Sequence, residues 1–165
     1  MRTFEIPNGI VIFQSCPGGQ FHTLPDSTNP NRIFVRYPSQ VRRGFLAPIA
    51  HELAHVVQIR RAGSLMALDP VNNHRRIELG ADFLAGLAFN ISLPQLDGDD
   101  FETSLFLVGS YVPQINDHGT PDDRTIAFRM GRFRAPPYSD LPLLESLDYF
   151  YDNHLPTIRR QGSTR

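Results

Sequence analysis

The sequence predicts a single α+β domain over residues 1–165, a small N-terminal β-sheet packed on a mainly helical body. Three observations predict it. Short runs of β-branched and aromatic residues fall before Pro38, and from about Phe45 the apolar spacing becomes helical. The strands come early and the helices later, an order that suits an α+β layout better than alternating βαβ units. A chain of 165 residues, 41% of them hydrophobic and 20% charged, is long enough for one domain with a real core. On folding, such a chain hides about 70% of its unfolded surface.

Each element follows from local chemistry. Gly9–Phe13 reads as a short strand ended by the turn Cys16-Pro17-Gly18-Gly19. A polar stretch from Pro25 to Asn31 leads into Arg32–Tyr37, a second strand stopped by Pro38 and expected to be an edge of the sheet. Leu46, Ile49, Leu53, Val56, Val57 and Arg60 keep helical spacing, with Pro48 in the first turn and Gly63 as the stop. A helix over about 73–90 runs through Ile77, Ala81, Leu84, Ala85 and Ala88. Another is expected from Asp99 to about Tyr111, with Asp99 and Glu102 at capping-box spacing. The next has Thr120 as N-cap, Pro121 in the first position, and Asp122 and Asp123 on the positive end of the dipole, and continues to about Arg134. After Ala135-Pro136-Pro137, a final amphipathic helix is expected from Leu141 to about Ile158.

Composition narrows the function. A formal charge of −1 argues against general electrostatic binding to nucleic acid or anionic lipid. The lone cysteine, Cys16, permits neither an intramolecular disulfide nor a cysteine-rich zinc finger. No apolar run reaches the roughly 18 residues of a membrane span, and the N-terminus lacks the apolar stretch of a signal peptide. The expected location is the cytoplasm, or outside it by export without such a signal. All 16 basic residues are arginine, which codon bias explains and which is also compatible with an effector avoiding lysine-directed tagging.

The informative segment is Ala50–Gln58. His51 and His55 stand four residues apart, one turn above the other on one helix face, so that both imidazoles can reach one zinc ion. Glu52 lies beside them, free to act as a general base on a bound water. A catalytic zinc takes three protein ligands and keeps a fourth position for water. Glu78, on the following helix, is the foremost candidate for the third ligand, and His74 is its rival. Asp82, one turn beyond Glu78, is placed to accept the outward N–H of a zinc-bound histidine and fix its tautomer; an ion pair with an arginine such as Arg75 or Arg76 is the alternative.

Three blocks, Ala50–Gln58, Glu78–Gly86 and Asp117–Arg124, together resemble the neutral zinc metallopeptidases of bacteria, which belong to the wider gluzincin type. The resemblance covers about residues 33–134, and the first block by itself also resembles a zincin-like domain of many bacterial proteins. It implies a zincin-like fold, His51, His55 and Glu78 as zinc ligands, and Glu52 as general base. The third block, His-Gly, four variable residues and Arg, brings in His118 and Arg124. One reading has either residue donate to the oxyanion of the tetrahedral intermediate. The other has His118 brace its loop and Arg124 pair with an acid such as Asp117. The chain departs from the family in carrying Gly80 where glutamine is common, and in having Cys16 in place of paired cysteines.

The expected function is therefore a zinc-dependent metallopeptidase acting on a peptide or protein substrate. The alternative is a zinc-stabilised binding or scaffold domain without turnover. Tyr37 and Tyr111 are lesser candidates for a phenolic donor, Asp97-Gly98-Asp99-Asp100 reads as helix capping more than a calcium loop, and Arg124, Arg129, Arg132 and Arg134 read as solvated helix faces paired with nearby acids.

Overall fold

The computed structural model describes residues 4, 6–17, 21–39, 46–68, 74–92, 119–133 and 141–162. Three strands come first: β1 (Val11–Cys16), β2 (His22–Asp26) and β3 (Asn29–Pro38). The helices follow: α1 (Leu46–Ala62), α2 (His74–Ser92), α3 (Pro121–Phe133), α4 (Leu143–Tyr149) and α5 (Leu155–Gly162). The α+β class expected from the sequence is the one observed. His118, Tyr111, Asp117, the acidic run at 97–100 and the helix expected from Asp99 lie outside the described residues.

The sheet has the order β1-β3-β2, with β1 parallel and β2 antiparallel to β3. This corrects one expectation. The Arg32–Tyr37 segment is the central strand, paired on both sides, and the edges among the described residues are β1 and β2. β2 itself has no counterpart in the sequence expectations: it takes in His22–Leu24, to which no element is assigned, and the first two residues of the polar stretch from Pro25 to Asn31. Pro25 lowers its strand propensity, yet on an edge the missing N–H is tolerated. The Asp26 carboxylate closes the β2–β3 hairpin by accepting from the Thr28 amide at 2.8 Å and its hydroxyl at 2.6 Å. Ile33 and Val35 alternate with more exposed neighbours on β3 and turn the apolar face inward.

α1 packs on the sheet through β2 and β3 and against α2 on its other side. It ends as expected: Gly63 takes a left-handed φ of 80° and its amide donates to the Ile59 carbonyl at 2.7 Å. α2 is the most enclosed element, buried at every position from Leu79 to Phe89. α1 flanks it, as does α3, whose start is a reciprocal cap: the Asp123 amide donates to the Thr120 hydroxyl at 3.2 Å and the Thr120 amide to the Asp123 carboxylate at 3.1 Å. Where α2 and α3 cross, the backbones nearly touch. A Cβ on Gly86 would lie 2.1 Å from the Phe128 carbonyl oxygen, and one on Gly131 2.1 Å from that of Phe83. Glycine at both positions permits this approach.

The C-terminal helix departs from the single stretch expected. α4 and α5 are separated by a π-helical turn, Phe150–His154. The reason lies at Pro156. A proline in the interior of a helix has no N–H for the carbonyl four residues back and its ring collides there. The chain widens just before it, the Leu155 amide donating to the Phe150 carbonyl five residues back. The wider turn brings the consecutive side chains of Phe150 and Tyr151 into the core. Phe150 stacks on Phe83 with ring centroids 4.5 Å apart, and each buried phenylalanine contributes about 1.5–3 kcal/mol. No helix among the described residues is long and apolar enough to cross a membrane.

Candidate metal centre

α1 supplies His51 and His55 from one face, and their rings meet edge to face with centroids 4.5 Å apart. α2 supplies Glu78 opposite them. Its Oε2 lies 3.1 Å from His51 Nε2, and its Oε1 lies 3.5 Å from His55 Nε2. One donor atom from each residue can be chosen so that all three lie within 4.8 Å of one another. Two atoms bound at about 2.1 Å to one ion with tetrahedral angles lie about 3.4 Å apart, so this His/His/Glu group fits a shared metal ion. Both histidines are buried, and the Glu78 side chain is 13% exposed. His74, the rival ligand, is not part of this group among the described residues.

Each histidine is oriented from behind. The His51 Nδ1–H donates to Asp82 Oδ1 at 2.8 Å, the contact by which a carboxylate fixes an imidazole tautomer. Asp82 is fully buried and is gripped by Arg124, which donates from Nε to Oδ2 at 2.8 Å and from Nη2 to Oδ1 at 3.0 Å. The ion-pair alternative for Asp82 thus also holds, with Arg124 as the arginine. Arg75 instead meets Asp123 at 2.8 Å. For Arg124 the geometry supports the pairing role, with Asp82 as its acid, and corrects the expectation of a solvated face: Arg124 is buried, as its ion pair with a buried carboxylate requires. Its Nη2 stands 3.9 Å from Glu78 Oε2.

Charge and burial set the protonation states. Burial works against a charged His51, but Asp82 and Glu78 outweigh it and raise its pKa to about 10. Burial, with the neighbouring His51 charge, holds His55 below its ordinary value. Burial opposes ionisation of Asp82, yet Arg124 and His51 together keep its carboxyl below the usual range. Arg124 remains a firm cation, its own burial offset first by Asp82.

Glu52 is buried beside His51. Its Oε2 is 2.6 Å from the Thr23 hydroxyl on β2, which also lies 3.0 Å from the Glu52 carbonyl oxygen. One hydroxyl proton is shared between these acceptors. The Glu52 charge acts on both His55 and Arg124.

Three residues in this arrangement have no assigned role in the sequence reading. Gln58 accepts from His55 Nδ1–H at 2.8 Å, and its position three residues along the same helix face is a signal the spacing carries. Thr23 and Tyr151 come from distant elements and leave no local signal. A cleft of about 200 Å3, lined by Phe4, Val57, Arg60, Arg61, Leu143 and Leu144, includes none of the residues of the centre.

No protein-family model, curated protein or solved structure matches the chain.

Proposed function

We propose that the chain is a zinc metallopeptidase. The observation that carries this reading is the convergence of His51, His55 and Glu78, three donors that fit one ion, with a buried Glu52 adjoining the first. Two imidazoles and one carboxylate are a donor set suited to zinc, and three protein ligands leave a position open for water or substrate. A sheet laid against the helix bearing both histidines, with the third donor on the next helix, supports a zincin-like reading of the fold. The resemblance of the three sequence blocks to neutral zinc metallopeptidases points the same way.

When bound, zinc supplies a Lewis acid that polarises a scissile carbonyl and brings the ionisation of water near neutrality. The chain's residues supply the rest. Glu52 takes the proton of the attacking water and passes it to the leaving amine. Asp82 holds His51 with Nδ1 protonated and Nε2 turned to Glu78, and Arg124 holds Asp82. An extended peptide adding by main-chain hydrogen bonds to the outer edge of β2, unpaired among the described residues, comes to the strand whose Thr23 meets Glu52.

A non-catalytic zinc-stabilised scaffold is the second reading, favoured by the hydrogen bond that already engages Glu52 Oε2. Elemental analysis and peptide cleavage separate the two. About one zinc per chain, a marked loss in Glu78→Ala, and cleavage abolished in a zinc-replete Glu52→Gln establish the peptidase. Zinc without any cleavage by the native chain establishes the scaffold. No zinc in the native chain after reconstitution overturns both.

A further inference from the structure

The least expected polar contact in the core joins the C-terminal π-turn to the metal centre. Gln58 is fully buried on α1, and both its amide oxygen and its amide nitrogen are hydrogen-bonded. Its Oε1 accepts from His55 Nδ1–H at 2.8 Å. Its Nε2 donates to the Ile77 carbonyl at 2.9 Å and to the Tyr151 hydroxyl at 3.0 Å.

We propose that Gln58 and Tyr151 are positioning residues that hold His55 in its Nδ1–H tautomer, turning the Nε2 lone pair toward Glu78. The direction of the amide decides the tautomer. The Ile77 carbonyl can only accept, so Nε2 must face it and Oε1 must face His55. A flipped amide sets oxygen against oxygen at Ile77 and offers an N–H to His55 Nδ1, which then carries the lone pair. Nε2 would hold the proton and lose its capacity to bind an ion.

Tyr151 completes the lock and is itself held on two sides. The Arg76 guanidinium lies 4.1 Å above its ring centroid. Gly80 makes room for the phenol: a Cβ there would fall 2.3 Å from the hydroxyl oxygen and 2.8 Å from the ring. The π-turn delivers this hydroxyl to Gln58 while Phe150, the residue before it, stacks on Phe83. A segment 93 residues beyond Gln58 thereby controls a histidine of the centre.

The test compares Gln58→Met and Tyr151→Phe with the native chain. Two readouts are used: the His55 tautomer from long-range 15N–1H correlations on chelated protein, and zinc affinity by competition with a chromophoric chelator. The native chain is expected to show the Nδ1–H form. Gln58→Met is expected to shift His55 toward the Nε2–H form and weaken zinc binding about tenfold to a hundredfold. Tyr151→Phe is expected to move both readouts the same way by less, and the double variant to be no weaker than Gln58→Met. A native tautomer and native affinity in Gln58→Met would overturn the proposal, and a silent Tyr151→Phe would remove Tyr151 from it. The affinity readout rests on the metal reading above. The tautomer does not, so a native chain that takes up no zinc refutes that reading and leaves this proposal to be decided by NMR.

Discussion

Arg124 and Asp82 form a buried two-point ion pair across α3 and α2, with contacts of 2.8 and 3.0 Å, and the same carboxylate receives the His51 N–H at 2.8 Å. One carboxylate thus joins three elements. Its removal takes the two-point carboxylate partner from a buried guanidinium, and breaking such a pair from one side costs about 3–5 kcal/mol. Asp82→Asn is expected to lose about that much in urea denaturation. The pH dependence has a definite sign. Asp82 titrates below its ordinary 3.8 in the folded chain, so its contribution is present above about pH 4 and is lost as the pH falls toward the folded value. Acid unfolding should therefore be steeper for the native chain than for Asp82→Asn.

His51 gives the opposite sign. Its pKa rises from 6.5 to about 10 on folding, so the stability it contributes to chelated protein is full below pH 6.5 and is lost as the pH rises through about 10. On the proposed metal reading, zinc bound at Nε2 would take the place of a proton there. Uptake near pH 7.5 should release about one proton from His51, read by calorimetry in buffers of different ionisation enthalpy. Zinc-loaded protein should lack the alkaline decline assigned to this group.

Tyr151 predicts a second alkaline transition. Burial pushes its phenol up to about 12 from an ordinary 10.0. The neutral form is thus favoured by folding, and that contribution is lost as the pH rises from about 10 through the folded value. Tyr151→Phe should remove this part of the alkaline melting profile.

The crossing of α2 and α3 makes a further test available outside the site. Gly131→Ala sets a Cβ 2.1 Å from the Phe83 carbonyl oxygen and 2.7 Å from the Leu87 nitrogen. Backbone atoms cannot rotate away, so the helices must separate. The expected cost is about 1–3 kcal/mol in thermal or urea unfolding, together with weaker zinc binding as Arg124 is drawn off Asp82.

How legible was this arrangement in the sequence? His51, His55, Glu78 and Asp82 were legible because helical spacing converts positions four apart into one face, and each pair lies within a single strongly periodic helix. The ends of α1 and α3 were legible from Gly63, Thr120 and Pro121, whose backbone chemistry is local. β2 was hidden by Pro25, which an edge strand tolerates and local propensity discourages. The central place of β3 followed from that hidden strand. The partner of Arg124 was equally hidden, since it lies on another helix and is chosen by how closely the two backbones approach. Tyr151 depends on a π-turn whose cause, Pro156, is visible but whose direction is set by Phe83 and Gly80.

The glycines at the α2–α3 crossing bear on how such a centre could change over time. Gly86 lies one turn beyond Asp82 on α2, and Gly131 lies two turns beyond Arg124 on α3. The helix seam and the polar grip therefore run along one continuous ridge. A mutation that adds a single methyl group to the seam alters the lever arm on which the carboxylate rides, although it touches no polar atom of the grip. Neither position has room for a methyl group, so a change at either is tolerated only if the spacing of the two helices, and with it the aim of Asp82 and Arg124, shifts in the same step.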